Sequence, residues 1–230
     1  MLVLSMGVVG SGIHGQAAFG VTCSNNGTEG GSPIAMDGTV GQDGSFTIKN
    51  ASTDDIQIAI TGTAPEVGAT TWSGHYSFSS ATGAACTVQA SGSFAATAFP
   101  AIDGTYAGTV YGLNSGGALT LSMKLTEAAF TSTELIPGYT YYYAPLSGTI
   151  TAGGTSCFTT GATTVSPELL RPVGLVMGNE IELAFTTDTG STFNVQGYFT
   201  DPTEKTLQMA GSVTGGKCGG QLISGTLTLQ

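Results

Sequence analysis

Apolar and polar positions alternate with a period of two along most of this chain, in short runs rich in Thr, Val, Tyr and Phe. Segments 104–113 (GTYAGTVYGL), 118–125 (ALTLSMKL), 145–151 (PLSGTIT), 180–185 (EIELAF), 192–199 (TFNVQGYF), 206–213 (TLQMAGSV) and 221–229 (QLISGTLTL) all read as strands. Gly-, Asp- or Pro-bearing turns divide them about every ten residues, the spacing of antiparallel all-β folds. The pattern predicts seven or eight strands in each half of the chain, forming a small barrel or sandwich. Helical turns are expected only at Pro167–Leu170 and within Thr126–Leu135.

The halves repeat one another. At a constant offset, Cys23 falls on Cys157, Gly27 on Gly161, Ser32-Pro33 on Ser166-Pro167, Gly44 on Gly178, and Thr53-Asp54 on Thr187-Asp188. After a one-residue slip Gly62 meets Gly197, and Cys86 then meets Cys218. Both copies end alike, Ser91-Gly92-Ser93-Phe94 against Ser224-Gly225-Thr226-Leu227. Such recurrence indicates an internal duplication: two tandem small antiparallel β-barrels or sandwiches, the first over 1–99 and the second over 100–230.

The start of the chain fits the repeat. Leu2-Val-Leu-Ser-Met6 matches Leu119-Thr-Leu-Ser-Met123 at all but one position, so it reads as the second strand of copy one. A signal peptide is the weaker reading, because the segment has no basic n-region and its apolar run is broken by Gly7. Gly20-Val-Thr-Cys23 also lacks the leucine of a lipoprotein cleavage box. Two expectations follow. Copy two carries a Tyr-rich insertion at about 124–145, which includes Tyr139, Tyr141, Tyr142 and Tyr143. Copy one lacks the counterpart of strand 104–113, leaving a seam of unpaired backbone groups. Three readings of that seam stay open: a strand donated by another subunit, a precursor that begins upstream, or a first copy that closes with fewer strands.

Cysteine placement bears on the compartment. One pair per copy at matching positions predicts the disulfides Cys23–Cys86 and Cys157–Cys218, and with them an oxidising setting. Zinc is the poorer account, since the chain has no CxxC and its only histidines are His14 and His75. Charge narrows the partners: 5 basic against 15 acidic residues give −10, which argues against nucleic acid and anionic membrane surfaces. Only 9% of residues are charged while Gly contributes 36, so Gly, Ser and Thr take the solvent-facing positions. At 40% hydrophobic the chain has ample material for a core. No apolar run approaches the length of about 18 residues that a transmembrane helix requires.

Catalytic chemistry is faint. A nucleophilic serine needs a base, and His75, in Trp72-Ser-Gly-His-Tyr-Ser77, reads as a structural histidine on a strand. There is no G-x-S-x-G elbow and no phosphate-cradling loop. Two carboxylates meeting only in space stay open as a hydrolytic pair. The acids Asp37, Asp43, Asp54, Asp55, Asp188 and Asp201 otherwise read as turn caps, with calcium in those loops an open alternative lacking an EF-hand-like ligand run. No cofactor is called for.

In a strand, Tyr139, Tyr141 and Tyr143 share one face and Tyr142 takes the other. That face could pack on the chain's own barrel, meet another subunit, or stack on a sugar ring. The opening Gly104-Thr-Tyr-Ala-Gly-Thr-Val110 resembles the first strand of up-and-down barrels such as avidin and the lipocalins, with Tyr106 where those families carry Trp. The Thr/Gly-rich strands with their paired cysteines are similar to repeat domains of secreted or envelope-associated bacterial proteins. The resemblance implies a barrel at the bacterial cell surface or outside it. The functional expectation is a non-enzymatic structural protein that self-associates into a pilus- or filament-like assembly by strand complementation. The alternative is a barrel that binds a glycan or small apolar ligand, or acts as an adhesin.

Overall fold

In the computed structural model of the protein, residues 2–9, 12–24, 27–30, 34–50, 55–64, 71–97, 99–112, 117–136, 139–163, 174–216 and 218–230 are described, and every regular element among them is a β-strand. The matched residues Ser32-Pro33, Thr53-Asp54 and Ser166-Pro167, and the helical turn expected at Pro167–Leu170, lie outside the described residues. The chain divides into two compact units. One comprises Met1–Ala98 together with Phe130–Tyr143, the other Phe99–Ala129 with Ala144–Gln230. By sequence the segment 130–143 lies within copy two; by packing it groups with copy one.

The first unit is a curled antiparallel sheet of β1 (Leu2–Val9), β2 (Gly12–Thr22), β3 (Thr28–Gly30), β4 (Ile34–Val40), β5 (Ser45–Lys49), β6 (Ile56–Thr63), β7 (Thr71–Ser80) and β8 (Gln89–Thr97). Its order is β1-β2-β4-β5-β6-β7-β8, with β3 paired to the end of β2. The second unit uses β9 (Asp103–Gly112), β10 (Ala118–Glu127), part of β12 (Tyr139–Gly153), β13 (Thr160–Thr163), β14 (Leu175–Met177), β15 (Glu180–Thr187), β16 (Thr192–Phe199), β17 (Thr206–Thr214) and β18 (Leu222–Leu229). Here the sheet closes. β9 pairs with β10 on one side and β18 on the other, and β10 pairs with β12. The result is a closed barrel of 8 strands, with β13 and β14 sharing the place between β12 and β15.

The remaining strand, β11 (Thr131–Ile136), corrects the helical turn expected within Thr126–Leu135. β10 runs on to Glu127, and β11 pairs with the start of β12, placing Thr131 opposite Tyr143 and Thr133 opposite Tyr141. β-branched Thr facing Tyr is a favoured cross-strand pair, which outweighs any helical tendency of so short a segment.

Period-two patterning decides each interior. In the barrel, Ile181, Leu183 and Phe185 of β15, Phe193, Val195 and Phe199 of β16, and Leu207 and Val213 of β17 point inward and are buried. In the first unit Met36, Phe46, Ile48, Ile56, Ile58, Ile60 and Phe78 form the core. Glycines placed among these residues let large rings lie flat across the neighbouring strand. At Gly211 an added Cβ would lie 2.5 Å from the Phe193 ring and 3.0 Å from the Asn194 carbonyl oxygen. In copy one the Phe94 ring covers Gly74 of β7 in the same manner.

Each unit is stapled once: Cys23–Cys86 with a Cα–Cα distance of 5.2 Å, and Cys157–Cys218 with 5.6 Å. Both bridges tie the stretch after one strand to the turn before the last strand of its copy, and they are compatible with an oxidising environment. Closing a loop of 61 residues stabilises by roughly 4 kcal/mol in the chain-entropy account. Replacing both Cys157 and Cys218 by Ser should therefore lower unfolding free energy by about 2–4 kcal/mol in urea titrations. Gly211→Ala should cost about 1–3 kcal/mol through collision with Phe193. Gly20→Ala, where nothing lies within 4 Å of the added Cβ, should change stability by less than about 0.5 kcal/mol in the same assay.

Candidate functional site

The two copies differ most where one closes and the other does not. In the barrel, β9 fills the place between β18 and β10. The corresponding strands of copy one are β8 and β1. Among the described residues β8 pairs only with β7 and β1 only with β2, so both present an open edge. Inward-facing residues record the difference. Leu207 and Val213 of β17 and Leu227 of β18 are fully buried, whereas Trp72 of β7 and Phe94 of β8 remain half-buried and Phe78 is 7% exposed. Trp72 stands at the centre of this aromatic face. Its ring centroid lies 5.0 Å from that of Phe46 and 5.2 Å from that of Phe94, edge-on to the latter, and its Nε1 donates to the Thr63 carbonyl at 3.1 Å. Tyr76 continues the face beside Phe78, with ring centroids 5.7 Å apart.

The tyrosine segment is partly resolved into roles. The side chains of Tyr139 and Tyr141 lie outside the described residues; their backbone is strand. Tyr142 and Tyr143 are half-buried. Tyr142 stacks face to face on His14 of β2, with centroids 4.4 Å apart and planes within 8°. His14 Nδ1 in turn meets the Asp37 carboxylate of β4 at 2.7 Å. Phe130 covers Gly7 of β1 closely enough that a Cβ there would collide with its ring. Gly7, His14 and Asp37 share the outer face of the sheet, opposite the side that carries Met6, Ile13 and Met36. Gln16 of the same outer face is buried, and its Nε2 has no hydrogen-bond partner among the described residues. Burial and the Asp37 charge both push the Tyr142 hydroxyl above its ordinary range.

Comparison of the chain with family models, with curated protein sequences and with solved structures yields no match. Function must therefore be argued from geometry alone.

A second polar feature lies at one end of the barrel. Glu204, in the turn between β16 and β17, is only 4% exposed and holds a left-handed backbone at φ 52. Burial, then the nearby carboxylates of Glu127 and Asp201, push its carboxyl up to about 7. Glu127 is raised by burial too, opposed by the Ile102 N–H that donates to it at 2.9 Å. The Tyr106 hydroxyl beside them is pushed up to about 12, chiefly by burial, with smaller contributions from Glu204 and Asp103. Composition gave no hint of this group, because Glu127 and Glu204 are far apart in sequence and neither belongs to a motif. A left-handed non-glycine residue in an Asp-Pro-Thr-Glu turn is not legible without coordinates.

Asp43, Asp188 and Asp201 work as turn caps, whereas Asp37, expected to do the same, lies within β4 and meets His14 instead. Asp43 accepts from the Ser45 N–H at 3.0 Å and its hydroxyl at 2.7 Å, and those bonds hold it below the usual carboxylate range. Asp188 accepts from the Thr159 amide and hydroxyl, and Asp201 from those of Thr203, with the same consequence. Asp54, expected to match Asp188, lies outside the described residues. His75 is on β7, exposed and outward-facing.

The carboxyl group at the barrel end has a calculable pH signature. Glu204 holds its proton in the folded state up to about pH 7, whereas an unfolded glutamate loses its own near about pH 4.3. Stability is thus undiminished below the unfolded value and falls as pH rises through this window. Between pH 4 and pH 8 the loss should be about 2 kcal/mol, after screening by solvent at the barrel end. Glu204→Gln should flatten that slope, leaving stability at pH 4 unchanged and raising the urea midpoint at pH 8.

Proposed function

We propose that this chain is a non-enzymatic structural protein of the bacterial cell surface or exterior that self-associates, with the open seam of the first unit completed by a strand from another copy. The observation that carries this reading is the contrast within one molecule. The same repeat is closed in one copy and open in the other, and the open copy keeps a half-buried aromatic face along its seam. Two edges of unpaired N–H and C=O groups are a template for pairing with a further chain. A strand donated by one chain and accepted by the seam of the next is a heterologous contact, the kind that propagates into filaments rather than closing into a dimer.

Disulfides in both units and the low charge support an extracellular setting. The bacterial assignment rests on the resemblance to envelope-associated repeat domains. A non-enzymatic reading is supported by the uses the polar groups already have. His14 is held between Asp37 and the face of a tyrosine ring, and the turn acids cap backbone amides. A second reading, a glycan- or small-ligand-binding module, is favoured by the same aromatic face, since Trp72, Tyr76 and Phe94 offer rings on which a sugar or apolar ligand can stack.

Light scattering of the oxidised protein across a dilution series tests the first reading. Polymers that resist dilution are the expected result. A 23 kDa particle at every concentration would overturn self-association and direct the search to ligands of the aromatic face.

A further inference from the structure

We propose that the outer wall of the closed barrel carries a binding trough for a neutral oligosaccharide, crossing β15, β16, β17 and β18 with the Tyr198 ring as its stacking surface. The proposal concerns the second unit alone and does not depend on the seam of the first. The trough is a different surface from the aromatic face around Trp72.

Strand register builds the trough. Ile181, Gly197, Met209 and Gly225 stand opposite one another in a single row across the four strands. Their side-chain positions face the interior: Ile181 and Met209 are buried, and a Cβ at Gly197 would meet Leu207 at 2.9 Å. What this row offers to the outside is bare backbone, and it forms the floor of a cavity of about 680 Å³. On one side of the floor stand Glu180, Tyr198, Gln208 and Thr226, again a single register row. Glu182, Gln196, Ala210 and Ser224 form the row on the other side. Four strands spaced by about 4.8 Å make the trough roughly 14 Å long, and two residues of strand make it about 7 Å wide. A short run of linked sugar rings fits such a space.

Both rims hold side chains already fixed in pairs. The Tyr198 hydroxyl donates to the Gln208 side-chain oxygen, so the ring is oriented while 45% of the residue stays exposed. That bond leaves the Gln208 NH₂ group to donate. Opposite, Gln196 Nε2 donates to Glu182 at 2.7 Å, leaving the Gln196 carbonyl oxygen and the second Glu182 carboxylate oxygen to accept. One cavity thus presents a donor, several acceptors and an aromatic ring. Sugar hydroxyls both donate and accept, and the C–H-bearing face of a sugar ring is apolar enough to lie on a tyrosine. Side chains held in place beforehand lose less entropy when a ligand arrives. Charge then sets the class of sugar. Glu180 and Glu182 line the trough and no Lys or Arg does, so a chain bearing carboxylate or sulfate groups is repelled. A bare cation would engage the carboxylates and leave the Gln208 donor without a role, which favours a neutral polyhydroxyl ligand.

The probes are cellotetraose, maltotetraose, mannotetraose and chitotetraose, each titrated calorimetrically into the full oxidised chain, with tetragalacturonate as the charged comparison. Saturable binding of at least one neutral probe is expected, weakened tenfold or more by Tyr198→Ala but less than about threefold by Tyr198→Phe, which keeps the ring. Ala210→Arg, at an exposed position on the second rim, should abolish binding by filling the trough. Urea midpoints of these variants should stay near the parent value, since each changes an exposed residue. The two positions are altered independently, so a folding defect in one variant leaves the other to decide. Absence of binding by every neutral probe at millimolar concentration would overturn the proposal, as would equal binding of tetragalacturonate. Unchanged binding by Tyr198→Ala would also overturn it and return the sugar to the face around Trp72. A response to tetramethylammonium and to no sugar would overturn it in favour of a cation site. Light scattering of the same samples reports self-association separately, so sugar binding and polymer formation stand or fall on different readouts.

Discussion

Closure of a curled antiparallel sheet on itself is the constraint from which the rest of this structure follows. A sheet of this curvature has two edges, and each carries a row of backbone donors and acceptors that need partners. In copy two, β9 satisfies both rows at once by bonding to β10 and β18. Its inward Tyr106 packs against Phe199, and Gly108 lies against Leu227. Copy one has the same edges without that strand among the described residues, and the cost shows in the half-buried Trp72, Tyr76 and Phe94. One strand thus governs both hydrogen bonding and core burial in the barrel.

The interior accommodates its large rings by pairing them with glycines. Small barrels bring opposing side chains close, and this chain meets the crowding by setting rings over glycines: Phe193 over Gly211, Phe94 over Gly74, Phe46 over Gly62. The glycines are bare because their neighbours occupy the space, not because a turn requires them. This explains how a sequence with 36 glycines folds into regular strands. Each of these three is half of a packing pair.

Much of this architecture was legible in the residues. Period-two alternation in Glu180–Phe185, Thr192–Phe199 and Thr206–Val213 maps onto β15, β16 and β17. The match of Leu2–Met6 with Leu119–Met123 placed β1 as the counterpart of β10, since strand identity in a repeat is carried by a short local string. Cysteine spacing led to both disulfides. Contacts made by non-local burial were not legible. The stretch from Thr131 to Glu134 reads weakly as helix because its strand character comes from pairing with Thr140–Tyr143. The seat of Tyr142 on His14, and the approach of Glu127 to Glu204, depend on residues that no motif links.

The segment Phe130–Tyr143 ties the order of synthesis to the order of folding. Its residues leave the ribosome after the whole of copy one, yet Phe130 and Tyr142 lie on Gly7 and His14. Domains usually fold as they emerge, the N-terminal one first. Here the earliest strands, β1 and β2, must wait with their outer face bare until translation has passed residue 143. The first unit is therefore not a continuous stretch of sequence: a nascent chain halted after residue 98 would hold a first unit that has not received its cover.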